Sequence, residues 1–438
     1  DCVYGLNGPF AFILYDTKKD QILVARDPYG VRPLYECLYE DNTIGFASDV
    51  EPLLFPGHKM KRIKAFPPGS FALYNKVNSD EWKMTHLEKY FNPLSYQPLE
   101  TKGIEYYMYE VVQRFQKSIW TRINNCDREI ASLLSGGLDS SLVSAYVKRF
   151  YEHKTSKTLH TYSIGLPNGE DLKFAKKVAS HIGSDHTEIL MTNKDFIDSV
   201  PSVIQDIESY DTTTVRASVG NWNIGGYISQ HSDAKVIFNG DGADELMGGY
   251  MYFHCCPNGH EFHKECVRLL GDIHRFDVLR SDKSISSHGL EPRSPFLDSD
   301  FTKFYLSIPI EYRNHNDLNG KHRCEKYFLR KSIEVYDPHL LPHDVLWRKK
   351  EAFSDGVSSH ELSWYEILQN HVSTMLFPHS EEGLTKEQQY YRMLFRNHFP
   401  PCCDTLIPYY WMPRYVDNAK DASARTLNIY HTLNINNE

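Results

Sequence analysis

The sequence holds 438 residues, 41% hydrophobic and 24% charged, with 57 acidic against 48 basic residues and a formal net charge of −9. That length exceeds one hydrophobic core and predicts two domains. The acidic balance argues against a general nucleic-acid binder, because a phosphate backbone needs a basic surface. The longest apolar runs are strand-sized, so no membrane span is expected, and no signal peptide stands out.

Residues 1–88 read as β structure. Phe10 to Tyr15 is an apolar run, TKKD is a polar turn and QILVARD returns as a second strand, which predicts a hairpin. PLYECLYEDNTIGFASD predicts another, with Asp41 and Asn42 at the turn, and FPPGSFALYNKVNSDEW a further pair. Residues 89–103 carry two prolines and no period, the signature of a linker. From 104 to 438 strands and helices alternate. EIASLL, TLHTYSIGL, HTEILM and AKVIF read as strands. SSLVSAYVKRFYEH reads as an amphipathic helix, followed by DLKFAKKVASHIG and TVRASVGNWNIGGYISQHS as helices. This alternation predicts an α/β domain with a parallel sheet, whose ligands bind at the strands' carboxyl ends. Beyond about residue 255 the chain reads as mostly helical. The nine cysteines contain no C-x-x-C pair and point to reduced thiols in a cytoplasmic compartment.

Three stretches carry chemistry. LLSGGLDSS, Leu133 to Ser141, lies at a strand-to-helix turn. Its glycines admit close approach, a new helix aims N–H groups outward, and the serines add hydroxyl donors, together an anion cradle. Asp139 inside it makes sense if a metal ion bridges carboxylate and phosphate. FNGDGADELMGGY, Phe238 to Tyr250, follows another strand and offers Asp241, Asp244 and Glu245; Asp139 and Asp244 on neighbouring strand ends could share one Mg²⁺. WRKKEAFSDGV, Trp347 to Val357, gives the basic cluster Arg348, Lys349 and Lys350. HCCPNGHEFHKEC, His254 to Cys266, is rich in potential zinc ligands but fits no standard zinc spacing.

The first loop resembles the PP-loop of ATP pyrophosphatases. LLSGGLDSS, GDGADELMGGY, TTVRAS, PFLD and WRKKEAFSDGV, in this order, resemble the glutamine-hydrolysing asparagine synthetases, and YYWMPRYVDNAKDASARTL resembles their animal branch. The resemblance implies a PP-loop (adenine nucleotide α-hydrolase-like) synthetase domain after a β-rich N-terminal-nucleophile (class II) glutaminase domain. It also implies ATP as substrate, Mg²⁺ as cofactor, aspartate with ammonia or glutamine as partners, and a homodimer, as is common in the family. Leu133, Ser135, Gly136, Gly137, Asp139, Ser140, Ile164, Asn239 and Gly240 then correspond to ATP and pyrophosphate contacts. Asp139 and Asp244 correspond to Mg²⁺ ligands, Arg216 and Lys350 to cations steadying pyrophosphate and the adenylation transition state, and position 241 to the acid needed at the β-aspartyl-AMP stage.

Two departures stand out. The family's usual Ser-Gly-Glu is Asn239-Gly240-Asp241 here, an acid one methylene shorter, which predicts reduced but real synthetase activity. Ser294 stands where the family usually has an apolar residue, read as local packing. In the N-terminal part, Leu6-Asn7-Gly8-Pro9-Phe10-Ala11-Phe12 and ARDPYGVRPLY resemble segments downstream of the family's nucleophilic cysteine. Cys2, preceded by Asp1, has an amide rather than a free amine and reads as an ordinary thiol. The sequence as given thus carries only the back half of a glutaminase domain, with an exposed sheet edge or apolar face expected and no glutamine hydrolysis. Rival readings are another PP-loop amidotransferase, such as a β-lactam or GMP synthetase, and a degenerate, non-catalytic family member.

Overall fold

The computed structural model describes residues 2–77, 81–92, 102–167, 169–316, 323–349, 364–375, 383–416, 419, 421–423 and 426–429. The N-terminal β part forms two antiparallel sheets. One has the strand order β1(Ala11–Asp16), β2(Gln21–Arg26), β6(Ser70–Lys76), β7(Trp82–Lys89); the other runs β4(Ile44–Ala47), β3(Tyr35–Tyr39), β5(Met60–Ala65). The first two predicted hairpins are present, with Ala11 opposite Arg26 and Tyr35 opposite Ala47. Asn42 takes φ +65° at the second turn, a conformation asparagine tolerates. The third pair is β6–β7, whose turn falls outside the described residues. β5, not foreseen, has the sequence MKRIKA with one fully buried side chain, Ile63; lysines on an edge strand mask the period and discourage pairing with other chains. β1 and β7 are the edges of their sheet, and Ile13, Leu14, Tyr15 and Leu87 are exposed there. Most of the expected linker, residues 89–103, lies outside the described residues.

The second sheet system is the expected parallel one, in the order β10(Asp185–Leu190), β9(His160–Gly165), β8(Ile130–Leu133), β11(Val236–Phe238), β12(Glu291–Arg293). Strand periodicity sends alternate residues to opposite faces. Ile130, Val236 and Phe238 enter a core shared with α1(Ile104–Asn124), α2(Leu138–Thr155) and α3(Glu170–Ile182). Ala131, Ile164 and Ile237 enter a second core, shared with α4(Asn193–Ile207) and α5(Thr212–His231) and with Tyr35, Cys37 and Ile63 of the N-terminal β part. Both faces of the sheet are therefore covered, as parallel sheets require. α2 is not the amphipathic helix expected: Ser141 to Val147 are all buried, because α1 and α3 flank it. α4 was hidden by Pro201, which the helix accommodates internally after a Thr192–Asp195 capping box. Further on come α6(Ala243–Met247), α7(Gly259–Asp272) and α8(Asp277–Ser286). All nine cysteines are free thiols. Among the described residues no helix is long and apolar enough to cross a membrane.

Candidate active site

The carboxyl ends of β8, β9 and β11 open into one cleft of about 1490 Å³, measured out to its mouth. β8 ends at Leu133 and α2 begins at Leu138, so the chain must reverse within four residues. Gly136 makes this possible with φ +77°; a Cβ there would lie 2.5 Å from the Ala175 backbone nitrogen. The loop is cross-braced by the Ser140 hydroxyl, which accepts from the Ser135 N–H at 3.1 Å, donates to the Gly137 carbonyl at 3.2 Å and lies 2.9 Å from Ser135 Oγ. No side chain caps α2 at Gly137, and a helix N-terminus is suited to an anion.

The second loop follows β11. Gly240 packs so tightly on the first loop that a Cβ would lie 2.8 Å from Ser140 N. The Asp241 carboxylate accepts from Arg280 Nη2 at 3.2 Å, and the same guanidinium holds Asp277 at 2.9 Å. Burial raises the pKa of Asp241, with Arg280 and Ser281 pulling the other way. Burial opposes the charge on Arg280 too, but Asp241 and Asp277 outweigh it and raise its pKa. Glu245, which accepts from the Tyr250 hydroxyl, is pushed well up by burial and by the charges of Asp277 and Asp244.

Asp139 and Asp244 converge, but on a cation the sequence did not flag. Lys326 Nζ sits 2.5 Å from Asp139 Oδ2 and 2.5 Å from Asp244 Oδ1, its side chain fully buried. Lys326 has φ +58°, a strained conformation for a non-glycine residue. It threads past Gly249, where a Cβ would lie 2.5 Å from its Cε.

Of the residues expected to contact ATP, Leu133, Ser135, Gly137, Asp139, Ser140, Ile164, Asn239 and Gly240 line this cleft, and so do Asp241 and Asp244. Gly136 is turned toward α3 instead. Lys350 lies outside the described residues; its neighbours Arg348 and Lys349 line the cleft, with Arg348 on the Gly136 carbonyl at 3.0 Å and on Asp171 at 2.7 Å. Arg216 does not line the cleft in this structure. Its side chain is buried and its fork is committed to Glu387 at 2.8 and 2.6 Å and to Asp421 at 2.7 and 2.8 Å, beneath the Tyr365 ring. It ties α5 to the C-terminal part rather than facing a phosphate. Arg216→Met should therefore lower stability by about 3–5 kcal/mol, the cost of orphaning buried carboxylates, and leave ATP affinity within a few-fold in the folded fraction. Denaturant melts paired with nucleotide titration check this. Ser294 also does more than pack: its hydroxyl donates to Asn239 Oδ1 at 2.7 Å. The His254 to Cys266 stretch holds no metal cluster among the described residues; His254 instead meets Glu325 and Asn316, each at 3.1 Å.

An open parallel sheet with a glycine–serine loop and a second, acid-bearing loop at neighbouring strand ends is the layout of an α/β protein that binds its ligand at the strands' carboxyl ends. The asparagine synthase family model matches residues 110–260 and 255–406, and a glutamine amidotransferase domain model matches 1–110. The chain is 41% identical to the glutamine-hydrolyzing asparagine synthetase of Gallus gallus and 40% identical to that of Homo sapiens, each over 97% of this chain and 78% of the relative. The chain belongs to the glutamine-hydrolysing asparagine synthetase family, a family of carbon–nitrogen ligases. Among solved structures, NMN synthetase from Francisella tularensis shares 14% identity over 68% of this chain and 94% of that one, at a TM-score of 0.27, too slight a likeness to build on.

Proposed function

We propose that this chain converts aspartate to asparagine with ATP, through a β-aspartyl-AMP intermediate, releasing AMP and pyrophosphate. The observation that carries the reading is the contact of the two strand-end loops at Gly240 and Ser140, which sets a phosphate cradle beside an acid. A carboxylate is a poor acyl donor because its leaving group would be oxide; adenylation makes that oxygen a good leaving group, after which ammonia attacks the acyl carbon. Leu133 and Ile164 offer an apolar wall for the adenine. The Ser135 to Ser140 loop, cross-braced by its own hydroxyls, presents the N-terminus of α2 to the phosphates. Arg348 and Lys349 supply positive charge beside the departing pyrophosphate. Asp241, its pKa raised by burial, is suited to take a proton from the incoming nitrogen, held in place by Arg280, which also binds Asp277.

Asp139 and Asp244 fit a Mg²⁺ ion, since both carboxylates already reach one buried cation. With no cluster of three metal-ligating residues among those described, phosphate oxygens would complete the shell, as is usual for Mg²⁺. When bound, the ion neutralises phosphate charge. Ammonia, supplied directly or from glutamine, is the nitrogen donor proposed for the synthetase site; the relatives that the chain matches are named glutamine-hydrolyzing. Free thiols throughout fit a cytoplasmic setting. The test is asparagine formation from aspartate, ATP and ammonium, read with aspartate-dependent pyrophosphate release. Neither product from folded chain would overturn the reading in favour of a non-catalytic relative.

A further inference from the structure

Arg32 of the N-terminal β part clamps two elements that together hold the acid-bearing loop. Its Nη1 lies 2.5 Å from Asp282 Oδ1 on α8, and its Nη2 lies 3.4 Å from Glu291 Oε1 at the start of β12. The same two elements supply both partners of the Asn239 carboxamide. Asn239 Nδ2 donates to Ser281 Oγ on α8 at 2.6 Å, and Asn239 Oδ1 accepts from Ser294, just past β12, at 2.7 Å. That carboxamide in turn lies against the backbone of Asp241, whose N–H is 3.4 Å from Asn239 Oδ1.

α8 faces both ways within a single turn. Successive helical side chains point about 100° apart. Arg280 and Ser281 reach Asp241 and Asn239, while the next two residues reach the N-terminal β part. Lys283 pairs with Asp49 at 2.9 Å and with Glu208, under the Tyr35 ring at 5.1 Å. Arg32 itself stands on a rigid turn, because the Asp27 carboxylate accepts from the N–H groups of Tyr29, Val31 and Arg32 at 3.0–3.1 Å. Gly30 fits there only without a side chain, since a Cβ would lie 2.8 Å from His274 Cβ. The Asp282 side chain is 6% exposed and that of Arg32 26%, so water screens this pair less than a surface pair.

We propose that Arg32 is a positioning residue for amide synthesis: by fixing α8 against β12 it sets where Asn239 and Asp241 stand at the acyl centre. The N-terminal β part then serves the synthetase reaction even when ammonia is supplied directly. The kinetic arm of this proposal rests on the function proposed above.

The test uses the whole chain with ammonium as nitrogen donor, comparing wild type with Arg32→Ala and Arg32→Lys. Misplacement on the order of 1 Å can cost about a hundredfold in rate, so a partial shift in Arg32→Ala should lower kcat about tenfold. Arg32→Lys, which keeps one contact to Asp282, should recover most of the loss. Amide hydrogen exchange should rise in 239–245 and hold steady in 133–141. A kcat within twofold of wild type, or an exchange increase spread evenly over the chain, overturns the proposal. If wild type makes no asparagine from ammonium, the functional reading falls, and exchange at 239–245 still decides the role of Arg32.

Discussion

Lys326→Met should cost the protein about 3–5 kcal/mol in the absence of divalent cations, the typical result of removing one partner from a buried ion cluster. The loss falls on two carboxylates at once. Asp139 and Asp244 both point at the one ammonium, and all three side chains are largely shielded from water. Methionine matches the length of the stem but leaves the two acids facing each other. Millimolar Mg²⁺ should then return a larger share of the lost stability to the variant than it adds to wild type, because the ion would fill the place of the ammonium. Thermal melts with chelator and with Mg²⁺ measure both effects without any turnover. A variant as stable as wild type in chelator would show that the cluster is worth little, and equal Mg²⁺ responses would argue against a metal at these two acids.

Replacing Asp241 by Asn should reduce asparagine formation by about 10²–10⁴-fold, the usual worth of a positioned acid–base group. The amide keeps the shape and a hydrogen bond to Arg280 but cannot take a proton. Aspartate-dependent exchange of pyrophosphate into ATP should persist, since the proposed phosphate cradle of Ser135 to Ser140 belongs to a different loop. Asp241→Glu should do the opposite and raise the ammonia-dependent rate, by moving the carboxylate one methylene further toward the acyl centre. The salt bridge to Arg280 at 3.2 Å gives this carboxylate a fixed anchor, so the longer side chain has a defined direction in which to extend. If Asp241→Asn retained full synthesis, the proton would have to leave by another group, and Glu245 or Asp277 would be the next to test.

The parts of this site legible in the sequence were those written as contiguous strings. Ser135 to Ser140 and Asn239 to Asp244 are each a strand end, a glycine turn and a helix start, so local chemistry declares them. The cations were not legible. Lys326 lies far along the chain from both acids it joins, in a helix-start segment, EKYFLR, that resembles any charged surface helix. Arg280 sits in VLRSDKS, where five consecutive polar residues suggest a solvated face, yet Ser281, Asp282 and Lys283 are all buried between two parts of the molecule. The partners of Arg216 were not legible either: nothing in TTVRAS announces Glu387 and Asp421, which are close only in three dimensions. The parallel sheet was readable from strand–helix alternation. β12 was missed because Glu-Pro-Arg has no strand character of its own and is a strand only by pairing with β11.

The pairing of β8 with β11 sets Ser132 beside Phe238, 106 residues apart. Neither strand-end loop is complete alone, since Gly240 packs on Ser140. During synthesis, therefore, the serine–glycine loop emerges from the ribosome with nothing to lean on until about a hundred further residues have followed. Contacts of such separation are among the slow steps of folding. The cleft proposed to hold the nucleotide is thus a late product of biogenesis, and a nascent or truncated chain ending before residue 240 would carry the whole serine–glycine loop sequence while lacking the loop that packs on it.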